Sequence, residues 1–442
     1  MARGGIDGGL SRASLCLCFA LGCGSSGPGV VSTGAGDGDG DGDDAVLRST
    51  IGDGDGVGNG DGDGDRDGDG SEDGVRFGDL ASSFQTDGGV GQSGDGGPDA
   101  PAGPGDGVDA DEPGAGLGHH VIDAEYAAAG DLLVTVSASP DALHVIDPET
   151  GEGASVELDL APACVSVRPD GTLAAVGHDG WISLVDLHDG EVVDVLSVTA
   201  DVFDVVLPDS GYVYAFPRTD QSETIRTLEI ATGAETQSMG RAVWPGGVAK
   251  LHPDGTKMYG ANRGVSPSDI ERYSITDGVA DVAYESPYHG EYAMCGDVWI
   301  SEDGARLFTG CGNVFRSSDD MAQDMTYNGS LEDLDAELRH LDDSAETGKV
   351  AALADADVRF IDDPSVLSYV WLFDYEFLTL DRQIPMPRFT APPAPVGGEP
   401  ARGRFVFFDA EGGRLYLLFE PIAEADEMPE TLLRAYDVDP GE

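Results

Sequence analysis

Few residues in this chain are spaced for chemistry. Asp61, Asp63, Asp65, Asp69 and Glu72 stand at positions 1, 3, 5, 9 and 12 of a twelve-residue loop register, and oxygen ligands at that spacing suit a hard cation such as Ca2+. Position 6 of the register holds Arg66, where such a loop needs glycine for its turn, so the competing reading is a solvated spacer on which Ca2+ condenses weakly. The histidines (His119, His120, His144, His178, His188, His252, His289 and His340) are scattered and read as surface or turn residues rather than as a ligand set. No Gly-x-Ser-x-Gly, His-Glu-x-x-His, Cys-x-x-Cys or Gly-x-x-x-x-Gly-Lys run occurs in the C-terminal three-quarters of the chain; no catalytic residue is assigned. Asp201 and Asp204 are closely spaced, but Asp201-Val-Phe-Asp204 reads as the start of a strand and not as an acid/base pair.

The elements that must position any site show themselves as an internal period. A tight turn with acid and glycine, followed by alternating apolar residues, recurs at Ala127–Val136, Arg168–Val176, Leu207–Tyr214, His252–Tyr259, Ser301–Phe308, Ser344–Val350 and Asp409–Leu417. Glycine supplies the positive φ that reverses the chain, and Pro before Asp pre-sets the first turn position. A second turn recurs at Asp147–Gly151, Asp186–Gly190, Glu229–Gly233 and Ser274–Gly278, each after an apolar alternation. Four strands in forty-odd residues, repeated seven times, predict an all-β, seven-bladed β-propeller. The best helical periodicity runs only from Leu331 to Leu341. The C-terminus stops before a fourth strand of the last repeat is complete. That edge calls for a short strand from upstream of Val121, or else the last blade has three strands.

The Pro-Asp-Gly turn before an apolar strand and the Asp-x-x-x-Gly turn after the third strand resemble the YVTN-type, lactonase- and quinoprotein-like propellers, over Val121 to Glu442. The resemblance implies the fold; its members include binding proteins and hydrolases alike, because these turns serve architecture. Lactonases of this kind use carboxylates with a divalent metal, or Arg and His, at one tunnel mouth, and no such set aligns here. Loops facing one tunnel end are where propeller ligands bind, so His178 and Asn262, after the second strand of their blades, and Asn313 are the ligand-loop candidates. Three or more converging His, Asp, Glu or Asn side chains at a mouth would favour a hydrolase, and an apolar, neutral mouth a binding protein.

Arg3 and Arg12 precede an apolar run from Ala13 to Leu21, which is too short to span a membrane in the mature protein. With Ala20-Leu21-Gly22-Cys23 behind it, residues 1–22 resemble a bacterial lipoprotein signal peptide; Ala20 departs from the usual aliphatic residue, and an ordinary secretory leader is the alternative. The resemblance implies diacylation of Cys23. The lack of Lys or Asp just after Cys23 implies an outer-membrane or cell-surface location. Residues 23–117 follow as a disordered linker: from Gly24 to Gly116 there are 20 Asp and 2 Glu against 3 Arg, with few large apolar residues, too little to offset the entropy of ordering. Val75, Phe77, Leu80 and Phe84 are an apolar interruption in it. Residues 118–442 form the propeller.

Net charge is −59, with 24 Lys plus Arg against 83 Asp plus Glu and only three lysines, Lys250, Lys257 and Lys349. No basic stripe exists to release counterions from a nucleic acid, and no run of about 20 apolar residues marks an internal span. Beyond the leader the cysteines are Cys164, Cys295 and Cys311. Cys295 and Cys311 lie eight residues on either side of Asp303, at the turn of a predicted hairpin. In an exported protein this placement predicts a disulfide; Cys164 reads as a small core residue. The functional expectation is a monomeric, lipid-anchored envelope protein whose propeller binds or scaffolds a protein or small-molecule ligand. A metal-assisted, lactonase-like hydrolase at the tunnel mouth is the alternative.

Overall fold

The computed structural model describes residues 114–218, 223–240, 242–243, 246–263, 267–276, 278–334, 336–355, 368–389, 399–422 and 428–438. Cys23, the calcium-register acids Asp61 to Glu72 and the apolar cluster Val75 to Phe84 lie outside them. No helix occurs among the described residues, and none is therefore long and apolar enough to cross a membrane.

After β1 (Ala115–Gly116), strands β2 (Asp123–Ala127), β3 (Leu132–Ala138), β4 (Asp141–Ile146) and β5 (Gly153–Glu157) form an antiparallel sheet in that order. A six-stranded sheet holds β6 (Cys164–Val167), β7 (Leu173–Asp186), β8 (Glu191–Val206), β9 (Tyr212–Pro217), β10 (Arg226–Glu229) and β11 (Ala234–Gln237). Two four-stranded sheets follow. One is β12 (Val248–Leu251), β13 (Lys257–Ala261), β14 (Ile270–Ser274) and β15 (Asp281–Glu285); the other is β16 (Val298–Ile300), β17 (Arg306–Thr309), β18 (Asn313–Arg316) and β19 (Tyr327–Ser330). The next is β20 (Leu338–Ser344), β21 (Lys349–Asp355), β22 (Ser368–Asp374) and β23 (Leu380–Pro385). The last joins β24 (Arg388–Phe389), β25 (Glu399–Phe408), β26 (Arg414–Pro421) and β27 (Leu432–Asp437) to β1.

The result is a β-propeller of six blades, not the seven that the repeat count predicts. The second and third repeats share one blade because β8 runs unbroken from Glu191 to Val206, pairing with β7 through Trp181↔Ser197 and with β9 through Val205↔Ala215. Val198-Thr-Ala-Asp201 contains no Gly or Pro to stop it, whereas Pro162 interrupts the chain between the first and second repeats. Within this blade β7 folds back on itself about Gly180 (φ 79°), so the Leu187 N–H reaches the Thr172 carbonyl at 3.0 Å. The helical periodicity of Leu331 to Leu341 is overturned as well, since Leu338–Ser344 is the strand β20.

The repeat turns behave as their composition dictates. Gly171, Gly211, Gly255, Gly304, Gly348 and Gly412 all have φ between 62° and 82°, the left-handed region that an L side chain adopts only with strain. The first copy departs: Asp131, not Gly130, takes the positive φ (52°). Between consecutive repeats the apolar residues meet in clusters, such as Val134, Val136 and Leu143 with Val165, Ala174 and Val185. A single repeat buries only one face, and its neighbour covers the other.

Ring closure comes from upstream of Val121. β1 pairs with β27 through Ala115↔Leu433 and Gly116↔Leu432, ahead of residue 118, and covers the edge that the C-terminus leaves open. Thr431 extends the seam. It is fully buried, its N–H donates to the His119 carbonyl (2.9 Å), and its Oγ1 accepts the Val121 N–H (3.0 Å). Cys295 and Cys311 form the expected disulfide, with Cα atoms 5.2 Å apart, while Cys164 is free and buried.

Two outcomes follow from this seam and this bridge. Thr431→Val leaves the Val121 N–H without its acceptor and should cost about 1–3 kcal/mol in denaturant unfolding, with Thr431→Ser restoring most of it. Replacing Cys295 and Cys311 by serine opens a loop of 16 residues' separation and should cost about 3 kcal/mol, and added reductant should lower the stability of the wild type by the same amount but leave the double variant unchanged.

Candidate binding site at the ring mouth

The first strand of every repeat faces the ring axis, and their inward residues enclose a channel of about 470 Å3 touched by β2, β6, β8, β12, β16, β20 and β25. Neighbouring inner strands do not pair through their backbones, so side chains satisfy their edge N–H groups. The Asp123 carboxylate accepts the Val165 N–H (2.8 Å), Glu125 that of Val167 (2.6 Å), Asp204 that of Ala249 (2.8 Å) and Asp342 that of Phe408 (2.8 Å). Ser166 Oγ accepts the Leu207 N–H at 3.2 Å, and Asp343 the Glu302 N–H at 3.1 Å. Asp204, read from sequence only as part of a strand entry, thus bridges two inner strands, whereas Asp201 is exposed.

The cost of this arrangement is buried negative charge. Burial pushes Glu125 up to about 7 and Asp204 up to about 6, although Lys250, whose Nζ lies 3.7 Å from Glu125, pulls both the other way. One ammonium cannot offset Asp123, Glu125 and Asp204 together, and those carboxylates hold Lys250 firmly protonated. Burial, followed by the neighbouring charge of Asp342, raises Asp343 to about 8. Burial drives His340 down to about 3, leaving it neutral while its Nδ1 faces the Val406 carbonyl at 3.0 Å.

At the end of the ring where inner strands begin lies a second, wider cavity of about 590 Å3. Two β-bulges shape it. Pairing shifts between Leu338 and His340 and between Gly403 and Phe405, so Arg339 on β20 and Arg404 on β25 are the extra residues of equivalent bulges in adjacent blades. A bulge releases its extra residue from the inward–outward alternation and re-aims its side chain; both arginines line the cavity. Arg339 is held by Asp355 through Nε and Nη2. Arg404 Nη2 donates to the Val121 carbonyl (3.0 Å), and its Nη1 is 3.6 Å from Glu420.

The opposite wall comes from the two blades before. Arg263 follows β13, donates from Nε to the Gly296 carbonyl (3.0 Å), pairs with Asp297 through Nη2 and lies over the Phe203 ring at 5.8 Å. Phe203 is the extra residue of a third inner-strand bulge, on β8. The disulfide pins the segment that carries Asp297: Cys295 has φ 57° and itself lines the cavity. Glu337, ahead of β20, adds a half-buried carboxylate raised above its ordinary value by desolvation, against the pull of Arg263 and Arg339.

Of the ligand-loop candidates, only Asn262 reaches this cavity, and its Oδ1 accepts the Asp269 N–H (2.9 Å) to close its loop. His178 is buried, with Nε2 2.9 Å from Ser183 Oγ and Nδ1 3.0 Å from the Ala161 carbonyl. Asn313 donates to the Ala293 carbonyl (2.6 Å) and accepts from Ser330 Oγ (2.6 Å). The histidines are not mainly surface groups: His119, His144, His178 and His252 are buried, and the His119 and His144 rings stack at 3.6 Å between hydroxyl partners. Burial lowers His144 to about 4, so that ring is neutral at pH 7.

The mouth is neither apolar nor a set of converging metal-ligating groups. Arg263 pairs with Asp297 and Arg339 with Asp355 at its walls, with Arg404 and Glu337 beside them, and among the described residues no group of three His, Cys, Asp or Glu could hold a metal ion. No short motif announces the arginines, and Arg339 lies in the stretch from Leu331 to Leu341 whose spacing reads as helical.

The fold and mouth define a β-propeller with a charged cavity. Among solved structures, the chain is similar to the Myceliophteria thermophila Cps50 (Swd1) β-propeller domain at 13% identity, covering 71% of this chain and 96% of that one with a TM-score of 0.50. It is also similar to Kuenenia stuttgartiensis hydrazine synthase at 14% identity, covering 73% and 80%, with a TM-score of 0.40. The first likeness shows the fold alone. No protein-family model matches the chain, and no curated protein matches it in sequence.

The channel acids make stability depend on pH with a definite sign. From about pH 4, where unfolded carboxylates ionise, to about pH 8, the folded chain keeps protons on Glu125 and Asp343 that the unfolded chain releases. Stability therefore falls as pH rises through this window. Urea unfolding at pH 5 and pH 8 should show the loss, and Asp343→Asn, which keeps an acceptor for the Glu302 N–H, should make it smaller.

Proposed function

We propose that this chain is a lipid-anchored protein of the bacterial outer membrane or cell surface, and that its propeller is a binding module with the mouth cavity as its ligand site. The observation that carries the binding reading is the gathering of Arg263, Arg339 and Arg404 at one cavity of about 590 Å3, in a chain with 24 Lys plus Arg against 83 Asp plus Glu. Ligand sites are concave, of roughly 300–1,000 Å3, with a few convergent polar groups. The alternative of metal-assisted, lactonase-like hydrolysis has less support, because arginines occupy Asp297 and Asp355. The anchor rests on the leader and Cys23, whose diacyl chains would hold the membrane by about 0.8 kcal/mol per buried CH2. The Asp/Gly-rich segment is the spacer between membrane and propeller, with weak Ca2+ condensation as an added property.

Acyl labelling of the full chain in a bacterial host should vanish with Cys23→Ala; labelling that persists would overturn the anchor. Deleting residues 37–73 should leave the propeller's Tm nearly unchanged if they serve as a spacer. For the site, a chemically mixed small-molecule library screened by thermal shift should yield ligands, with about 2.7 kcal/mol of stabilisation at 100 times Kd. Ser268→Trp, which fills the mouth, should abolish their shifts. Hits that survive that substitution would place the site elsewhere.

A further inference from the structure

Away from the mouth, the second repeat carries a surface of a different kind. Eight large apolar side chains are exposed among the described residues, and four of them, Trp181, Val192, Val193 and Val195, stand on the one hairpin of β7 and β8. Cross-strand register groups them. Trp181 pairs with Ser197 and Ser183 with Val195, so Trp181 and Val195 lie diagonally on one face, within reach of each other. Ile182 and Leu196 are paired on the other face, where they are buried in the core of the blade. Pairing shifts between Leu184 and Val185, which makes Val193 the extra residue of a bulge; it is 56% exposed. A strand face turned to water ordinarily carries polar side chains. Apolar ones gathered there mark an interaction site, and Trp is a common anchor of such sites.

The strand edge beside them is open. β8 pairs with β7 from Glu191 to Asp201, but with β9 only from Val202 onward. At Thr199 the backbone N–H meets the Glu235 carboxylate (2.8 Å) instead of a neighbouring strand. The outer strands β5, β11, β15 and β19 also end their sheets, yet none of them holds an exposed large apolar side chain. The charge around this edge has one sign. Residues 114–217 contain 18 Asp or Glu against a single Arg, Arg168, and that arginine is engaged by Asp170 and Asp209. Asp189, Glu191 and Asp194, on the hairpin itself, are exposed and form no salt bridge among the described residues.

We propose that the edge of β8 from Glu191 to Ala200, with Trp181 beside it, is a docking surface for an extended segment of another protein in which apolar and cationic residues alternate. Main-chain bonds along the open edge hold the segment, its apolar side chains cover Trp181, Val193 and Val195, and its cations meet Glu191 and Asp194. A second copy of this chain fits poorly, because a two-fold contact sets the same patch, and so the same acids, against itself. None of these residues lines the mouth cavity or the channel, so the surface stands apart from the ligand site there.

Titration calorimetry of the full chain against a short synthetic peptide of alternating Val and Lys tests this, with Ser in place of Val and Glu in place of Lys as the control peptides. The expected result is saturable binding of the Val-Lys peptide, at least tenfold weaker binding of the Ser-Lys peptide, none of the Val-Glu peptide, and weakening as salt screens the charges. Val193→Thr with Val195→Thr keeps the branched side chains of a strand and should weaken binding tenfold or more without changing the Tm. Glu191→Gln with Asp194→Asn, which keeps an acceptor for the Val195 N–H (2.8 Å), should do the same. Ser268→Trp should leave binding unchanged, which separates this surface from the mouth. No binding of the Val-Lys peptide, equal binding of the Ser-Lys peptide, or an unchanged Kd in either double variant would overturn the inference. So would self-association in sedimentation, or binding to phosphatidylcholine vesicles, if the threonine pair abolished it, since the occupant would then be a second copy or a lipid surface.

Discussion

Adjacent inner strands in this ring face one another without backbone pairing, and everything else depends on how that gap is bridged. A strand edge carries N–H groups that cannot be left bare in a water-poor channel. Several are met by a carboxylate from the strand before, Val165 by Asp123, Val167 by Glu125, Ala249 by Asp204 and Phe408 by Asp342, and the Glu302 N–H by Asp343 from the strand after. The carboxylates are well suited, since charge-assisted bonds to backbone donors are among the stronger ones. They also concentrate negative charge on the axis, where Lys250 is shared among several of them. The chain's acidity is thus partly architectural: some of it holds the blades in register.

The same inner strands build the mouth. Where they begin, bulges at Phe203, Arg339 and Arg404 break the alternation that sends every second residue into the channel. Arg339 and Arg404 are redirected to the mouth, and Phe203 lies beneath the Arg263 guanidinium. The supports are local and specific. Asp355 holds Arg339, carbonyls of the closing segment hold Arg404, and the disulfide-pinned loop presents Asp297 to Arg263. Closure and site are therefore coupled, because Val121 and Ile122, which Arg404 grips, follow directly on the seam formed by β1, His119 and Thr431.

Much of the architecture was legible from residue spacing. The repeat turns are glycine-dependent, and six of seven glycines take the positive φ their positions require. The Cys295–Cys311 bridge follows from symmetry about a hairpin turn, and a short strand from upstream of Val121 is one of the two readings that the last repeat allows, the other being a blade of three strands. Less legible was the blade count. Nothing in a turn-to-turn interval reveals that β8 crosses from one repeat to the next without a break; the missing Gly or Pro at Val198–Asp201 is visible only once one asks where a strand stops. The buried histidines were misread for a related reason, since sequence shows a polar side chain but not the hydroxyl partners, such as Ser137 and Ser183, that make its burial tolerable.

By itself, the sequence determined the class of fold, the turns, the disulfide and the acidity, because these rest on local properties: the conformational freedom of glycine, the period of apolar residues and the distance between two thiols across a hairpin. Only the tertiary structure decided where the chemistry lies. Arg263, Arg339 and Arg404 come from three different blades, and a one-residue slip in pairing is what turns two of them toward the mouth. Such a slip changes the face a side chain occupies while leaving the composition and spacing of the chain as they were.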